Sequence, residues 1–205
     1  MFESQFLGCI PHNQAHHLMQ ELHEKRQRNL LPDQILFLEH PPVITSGKRP
    51  AEDDLKLTRL ELQQKGVDFI QTDRGGKLTY HGPGQLVIYF IFKLSSSIEK
   101  FVHQVEEGIR LLLLEEGIHT ERDPENPGLW MGKSKIASIG LHVSRSITTH
   151  GAAVNFSPDL KHFDYFIPCG LPTAGVTSIK KELGKSPTVE EGAKKLKKIY
   201  EEIFL

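Results

Sequence analysis

The sequence predicts a mixed α/β or α+β domain, with a mixed or predominantly antiparallel β-sheet flanked by helices. Strand-like and helix-like stretches alternate along the 205 residues, and no repeat or linker divides them. Strict strand–helix–strand alternation is absent, so a doubly wound parallel sheet is less favoured. The stretch from Leu129 to Phe156 has a continuous β pattern with turns at Gly132-Lys133 and near Ser144-Arg145.

The first third of the chain alternates helix and strand patterns. Residues 12–26 carry apolar residues at helical spacing and predict a helix, with the histidines at 12, 16, 17 and 23 on its polar face. A short apolar run at 34–39 stops at Pro41-Pro42 and is typical of a strand. Residues 55–65 predict a second helix ended by Gly66, and a strand follows at 67–72.

The remaining elements have clearer local signals. Residues 85–92 are rich in branched and aromatic side chains and predict a strand buried on both faces. Three serines at 95–97 begin a helix that should run to about Glu116 and stop at Gly117. Thr188 is expected to cap a last helix, with Glu190 and Glu191 in its first turn.

The composition of the chain argues against several classes of protein. Lys and Arg number 25 against 26 Asp and Glu, so nothing in the net charge of -1 supports nucleic-acid binding. The longest apolar run, 86–92, is too short to cross a bilayer, and the N-terminus lacks a leader pattern. Two cysteines are too few for a disulfide framework. We therefore expect one domain over 1–205, cytoplasmic, with no membrane partner, and a monomer.

The segment from Arg74 to Gln85 is the most unusual part of the sequence. Four glycines and a proline surround arginine, lysine, threonine, tyrosine, histidine and glutamine side chains, directly before a buried strand. A glycine-rich hairpin remains an alternative, but this mixture favours a ligand-binding loop. The spacing matches neither a phosphate-binding P-loop nor the dinucleotide fingerprint.

Cys169 is the candidate nucleophile, because Pro168 and Pro172 on either side, with Gly170 directly after it, predict a fixed backbone course that lets a ligand approach the sulfur. A small buried cysteine without a chemical role remains the alternative. Cys9 lacks such a context and is interpreted as structural. A thiol with a pKa near ~8.5 needs a neighbouring cation or base, and His81, His142, His150 and Lys135 are the candidates. Lys135 begins an apolar strand, where a lysine requires a partner, although sequence alone does not pair it with Cys169.

Several blocks in order resemble the lipoyl(octanoyl) transferase family, the octanoyl-acyl-carrier-protein:protein N-octanoyltransferases. They are the segments 39–45, 74–76 with 79–85 and Tyr89, 135–140, 150–155 and 168–170. The resemblance implies the fold of the biotin/lipoate protein ligase catalytic domain. It also implies that Cys169 accepts an octanoyl group as a thioester and that Lys135 lowers the pKa of this thiol and shuttles its proton.

The resemblance further implies which residues bind substrate. They are Arg74, Gly75, Gly76, Lys77, Leu78, Thr79, Tyr80, His81, Ser138, Ile139, Gly140, Gly151, Ala152 and Ala153. The donor would be octanoyl-acyl carrier protein, and the acceptors apo lipoyl domains of 2-oxoacid dehydrogenases and the glycine cleavage H protein, in lipoate biosynthesis. Because a thioester is already activated, we expect no cofactor and no metal.

Three alternatives stay open. An ATP-dependent lipoate- or biotin-protein ligase of the same fold needs no nucleophilic cysteine. A thiol hydrolase would use Cys169 with a histidine, and water would be the acceptor. A non-catalytic carrier-binding protein would leave Cys169, Lys135 and the glycine-rich loop without a role. Lys48, Arg49, Arg74 and Lys77 lie near the expected pocket and are candidates for a basic patch that attracts an acidic carrier protein. They could equally be ordinary solvated charges, with Arg74 alone structural.

Overall fold

The computed structural model describes residues 2–49, 52–168 and 174–205. Its strands are β1 (Phe2–Cys9), β2 (Asp33–Glu39), β3 (Val43–Ser46), β4 (Asp68–Gln71), β5 (Leu78–His81), β6 (Gln85–Ile91), β7 (Glu121–Arg122), β8 (Gly128–Met131), β9 (Ser134–Ser144), β10 (Ile147–Asn155) and β11 (Gly175–Val176). Within the described ranges, eight of them form a sheet in the order β1-β2-β6-β10-β9-β8-β7, with β11 beside β9. The β1–β2 and β9–β11 pairs are parallel and the others antiparallel, so the sheet is mixed.

Helices cover both faces of this large sheet. The helices are α1 (His12–Gln27), α2 (Arg59–Gln64), α3 (Ile98–Glu115), α4 (Ile179–Leu183) and α5 (Val189–Ile203). The apolar sides of α3 and α5 pack on one face, and α1 packs on the other. Every residue of β6 is buried because both of its faces are covered, as the sequence predicts. None of the described helices is both long and apolar enough to traverse a lipid bilayer.

A smaller sheet holds the glycine-rich loop beside the large one. Its order is β4-β3-β5, with β3 parallel to β4 and antiparallel to β5. A separate apolar cluster supports it, built around Ile44, Leu62, Tyr80, Phe163 and Phe166. The loop between β4 and β5 therefore has a rigid strand at each end, which fixes where its side chains point.

The mixed α/β class with a mixed sheet is confirmed, and so are the best-capped helices. Ser97 caps α3, Gly117 follows it at φ +84°, and Thr188 caps α5 with Glu191 in a capping box. The helix expected over 55–65 is wrong in its first turn. It begins only at Arg59, because the hydroxyl of Thr58 accepts from the amide of Glu61 and starts the helix there.

Candidate active site

A cavity of about 280 Å³ lies beside the glycine-rich loop. Of the residues expected to bind substrate, those at 74–79, 81, 138–140 and 151–153 line it. Apolar side chains contributed by β6, α3 and β9 make up much of the remaining wall, namely Val87, Ile98, Val102 and Leu141. The cavity therefore has a polar, glycine-rich side and an apolar side, which suits an acyl chain with a polar head.

Tyr80 does not line the cavity, although the sequence placed it among the substrate-binding residues. Side chains alternate along a strand, so Thr79 and His81 face the cavity and Tyr80 faces the other side of β5. There its ring stacks on His162 at 4.7 Å between centroids and packs edge-on to Phe163. The structure therefore places the Tyr80 side chain in the core of the small sheet, apart from the other residues expected to bind substrate.

Arg74 is buried and organises the loop around itself. Its guanidinium donates to the hydroxyl and the carbonyl of Thr45 at 3.0 and 2.7 Å, and to the carbonyls of Gly75 and Lys77 at 2.8 and 2.6 Å. Arg74 thus belongs to the framework of the cavity wall. The prediction that Arg74 belongs to an exposed basic patch is wrong, because the residue is buried and these acceptors surround its charge.

The other three candidates for the basic patch differ in their surroundings. Lys77 forms an ion pair with Asp54 at 2.8 Å, which offsets its charge. Lys48 and Arg49 are exposed at the end of β3, and Arg49 also lines the cavity. The patch is therefore reduced to Lys48 and Arg49.

His12, His81 and His150 line the polar end of the cavity, and the buried ring of His40 lies beside those of His12 and His81, at 5.2 and 5.8 Å between centroids. Nδ1–H of His40 donates to the carbonyl of Ile10 at 2.8 Å, so its Nε2 accepts from the hydroxyl of Tyr89 at 2.9 Å. Burial lowers the pKa of His40 to about 4 and that of His12, which also lies near other histidines and Arg74, to about 3. The expected polar face of α1 is wrong for His12, which is buried and lines the cavity.

His81 is held by a chain of amide groups that crosses from the small sheet to the large one. The side-chain amide of Gln85 donates to the carbonyl of Tyr80 and to the side chain of Asn155, so its oxygen accepts from Nδ1–H of His81 at 2.7 Å. Burial lowers the pKa of His81 well below its usual value. A neutral imidazole with its Nε2 lone pair available therefore has a fixed position on the wall.

His150 contacts Asp73, a residue that the sequence did not single out. Nε2–H of His150 donates to the Asp73 carboxylate at 2.7 Å, and this hydrogen bond lowers the pKa of Asp73. His150 has φ +57°, which is uncommon for a residue other than glycine, and its ring lies against Tyr89. The contact joins residues 77 positions apart, so no local pattern could have shown it.

Lys135 is buried, as its place in an apolar strand predicts. Its ammonium donates to the carbonyl of Pro127 at 3.1 Å and that of Asn126 at 3.4 Å, and it lies 4.5 Å from the centre of the Trp130 ring. These contacts position a cation against the loop that precedes β8. That loop is itself held by Glu106 of α3, whose carboxylate accepts from the amide of Gly128 at 2.8 Å.

A second, smaller cavity adjoins Lys135. Its wall includes Lys135, Asn155, Pro168 and Ala174, and it shares Leu78, Thr79 and Ser138 with the first cavity. Cys169 lies outside the described residues. Cys9 is an exposed free thiol at the end of β1 and is not among the residues that line either cavity; partial burial and the charge of Glu39 raise its pKa.

The family model described as the lipoyl protein ligase A/B catalytic domain matches residues 11–201. The chain belongs to this family. Within it, the chain is 44% identical over 191 residues to a protein of Dictyoglomus thermophilum named octanoyltransferase, covering 93% of this chain and 82% of that protein. An octanoyltransferase of Chloroflexus aurantiacus is 41% identical over 205 residues, with 97% and 92% covered.

Solved structures with the same fold are more distant. A lipoate-protein ligase A bound with ATP has a TM-score of 0.78 at 14% identity, covering 98% of this chain and 85% of that one. A biotin protein ligase from Aquifex aeolicus has a TM-score of 0.55 at 13% identity, covering 98% and 69%. These likenesses confirm the expected ligase-type catalytic fold. The activity is indicated by the more similar relatives, which are named octanoyltransferases. This member of the lipoyl protein ligase A/B family is an acyltransferase that transfers octanoyl groups in protein lipoylation.

Proposed function

We propose that the octanoyl group is transferred through a thioester on Cys169, with Lys135 as the proton-transfer group. The donor is octanoyl-acyl carrier protein. The acceptor is the lysine ε-amine of apo lipoyl domains, those of 2-oxoacid dehydrogenases and of the glycine cleavage H protein. Ping-pong transfer of this kind needs neither ATP nor a metal, because the donor thioester is already activated.

The observation that carries the proposal is the position of Lys135. Its buried side chain lines the smaller cavity together with Pro168 and Ala174, which border the 169–173 segment in the sequence. A lysine cation next to a thiol favours the thiolate, which is the nucleophilic form. The residue that follows Pro168 in the sequence is Cys169, and this adjacency supports the pairing.

The chemistry then runs in two balanced steps. The Cys169 thiolate attacks the thioester carbonyl, the carrier thiolate leaves, and Lys135 supplies the proton that converts it to a thiol. In the second step the lipoyl-domain amine attacks the acyl-enzyme, the amide forms, and the thiolate of Cys169 is released. The proton lost by the amine returns to Lys135, which restores the starting state.

The larger cavity suits the acyl chain of the intermediate. Its volume of about 280 Å³ lies near the lower end of small-molecule pockets, about 300–1,000 Å³. Because the two cavities share Leu78, Thr79 and Ser138, a chain attached beside Lys135 can extend toward the apolar wall. Glycines at 75, 76, 140 and 151 leave the backbone close to this space.

The decisive experiment is intact mass measurement after mixing the enzyme with octanoyl-acyl carrier protein. We expect a mass gain of one octanoyl group that hydroxylamine removes, lost in Cys169→Ser and kept in Cys9→Ser. An adduct that persists in Cys169→Ser, or that is lost equally in both variants, would contradict the proposal.

A second arm separates the transferase from its alternatives. Adding an apo lipoyl domain should move the octanoyl group onto one of its lysines, whereas a hydrolase would release octanoate and leave the domain unmodified. Free octanoate with ATP should give no modification. Modification that depends on ATP would instead favour a ligase.

A further inference from the structure

Three potential metal ligands from separate parts of the chain converge near the polar end of the large cavity. They are His16 of α1, Asp73 of the loop between β4 and β5, and His150 of β10. One ligand atom from each lies within 4.8 Å of the other two. His150 also lines the cavity, so the cluster lies at its wall.

We propose that this cluster binds one divalent transition-metal ion of the zinc class. Two imidazoles and one carboxylate are a ligand set that zinc and cobalt accept, with a solvent molecule at a fourth position. Magnesium and calcium prefer oxygen ligands and would be rejected. Metal binding at this cluster does not depend on the acyl-transfer chemistry, and it stands whether or not Cys169 is the nucleophile.

The state of His16 supports an ion here. Its Nδ1 is buried and finds no hydrogen-bond partner among the described residues. A buried polar atom without a partner is destabilising, so an ion that uses its lone pair would be stabilising. The ring lies 6.1 Å from that of His150, between centroids, in a tilted arrangement.

The geometry requires only side-chain adjustment. An ion at about 2.0–2.1 Å from each ligand places tetrahedral ligand atoms about 3.3 Å apart. The His150–Asp73 pair at 2.7 Å would open slightly, and the His16 nitrogen would move inward. The ring proton of His150 would transfer from Nε2 to Nδ1, since the ion takes the Nε2 lone pair.

Access and charge set the expected affinity. The carboxylate of Asp73 is half-exposed, so an ion can enter from solvent, and His142 lies 3.5 Å from the other oxygen of Asp73 as a possible further ligand. The positive charges of Arg74 and Lys48 are nearby and oppose a dication. We therefore expect weaker binding than at thiolate-rich structural zinc sites.

Such an ion would join α1, the glycine-rich loop and β10 at one point. Asp73 directly precedes Arg74, the framework residue of the cavity wall, and His150 directly precedes the lining residues 151–153. Because the ion binds the folded arrangement and not the unfolded chain, it would raise the melting temperature increasingly as its free concentration exceeds the dissociation constant. The bound ion would thus fix one wall of the acyl cavity.

The test uses untagged full-length protein freed of metals and titrated with CoCl₂ or ZnCl₂. We expect one Co²⁺ per chain with visible absorption bands of a low-coordinate site, no thiolate-to-cobalt band in the near ultraviolet, and displacement by Zn²⁺ but not by Mg²⁺. His16→Gln and Asp73→Ala should each weaken binding at least about tenfold. His17→Gln, an exposed neighbour on the same helix, is the matched control and should bind as the parent does.

Each result has a defined meaning. Unchanged binding in both His16→Gln and Asp73→Ala, equal loss in His17→Gln, or a thiolate band would overturn the proposal. If the variants fold poorly by circular dichroism, X-ray absorption on the cobalt-loaded parent decides the matter. Two imidazoles with oxygen ligands support the site, whereas sulfur or oxygen ligands alone refute it.

Discussion

Replacing Lys135 with methionine tests both its chemical and its structural role. Methionine keeps most of the volume of the side chain but removes the cation beside the smaller cavity. The loss of a positioned proton-transfer group lowers rates about 10²–10⁴-fold, which corresponds to about 2.7–5.4 kcal/mol in the activation free energy. We expect acylation by octanoyl-acyl carrier protein to fall within this range.

The cost in stability should be much smaller. Two hydrogen bonds to the carbonyls of Asn126 and Pro127 are lost, at about 1 kcal/mol each, while the contact with Trp130 is partly kept by the thioether. A loss of about 2 kcal/mol lowers the melting temperature of a domain of this size by about 4–8 °C. The variant should therefore be folded at the assay temperature, and its defect should be catalytic.

Lys135→Arg is the discriminating variant. Arginine keeps the charge but stays protonated near pH 7, so it cannot give a proton to the carrier thiolate and take one back from the lipoyl-domain amine. The site is also tight, because a Cβ added at Gly128 would lie 3.4 Å from Cε of Lys135. Quench-flow acylation of both variants, with Cys9→Ser as control, measures the effect. Full activity in Lys135→Met would refute the role, and full activity in Lys135→Arg would reduce it to electrostatics.

The remaining predictions concern the surroundings of the site. The folded pKa of His40, about 4, lies below its unfolded value of 6.5, so the unfolded state binds more protons between these two values. On acidification across this window His40 alone lowers the free energy of unfolding by about 1.4 kcal/mol per pH unit, and urea titration should give a total slope that is smaller by this amount in His40→Gln and unchanged in His17→Gln. Glu106→Ala removes the buried carboxylate that accepts from the amide of Gly128 and so holds the loop before β8. It should lower the free energy of unfolding by about 2 kcal/mol in the same urea titration. An unchanged unfolding midpoint would show that other contacts hold this loop. Raising the ionic strength should slow bimolecular acylation, because salt screens the attraction between Lys48 and Arg49 and the acidic carrier protein. The double variant Lys48→Glu/Arg49→Glu should reduce both the acylation rate and its salt dependence. An acylation rate that does not change with salt in parent and variant would place the carrier-docking surface elsewhere.

Local chemistry explains which elements could be predicted. Ser97 and Thr188 cap their helices through hydroxyls only three residues from the amides they bind, so the signal is contained in a few letters. The capping box at Thr58 and Glu61 was equally present in the sequence, but the apolar spacing before it suggested an earlier start. The sequence does not predict β1, because partly buried and exposed residues alternate only weakly along it.

The site was predicted only where its residues share a segment. The glycine-rich loop and the strand residues at 138–140 and 151–153 were found as blocks, and they line one cavity. The contacts of Asp73 with His150 and of Lys135 with the loop before β8 depend on how distant elements pack. The inward position of His12 likewise follows from the docking of α1, since histidine by itself does not indicate which face of a helix is buried.

The alternation along β5 has a consequence for how this chain can vary in length. This four-residue strand has two different faces. Thr79 and His81 face the ligand space, whereas Tyr80 completes the core of the small sheet. Pairing with β3 ties each of them to one partner, from Val43 opposite His81 to Ser46 opposite Leu78. Inserting or deleting one residue inside β5 would exchange the two sets, filling the ligand space with a phenol ring and leaving a hole in the core. Functional variants of this chain should therefore keep the length of β5 unchanged.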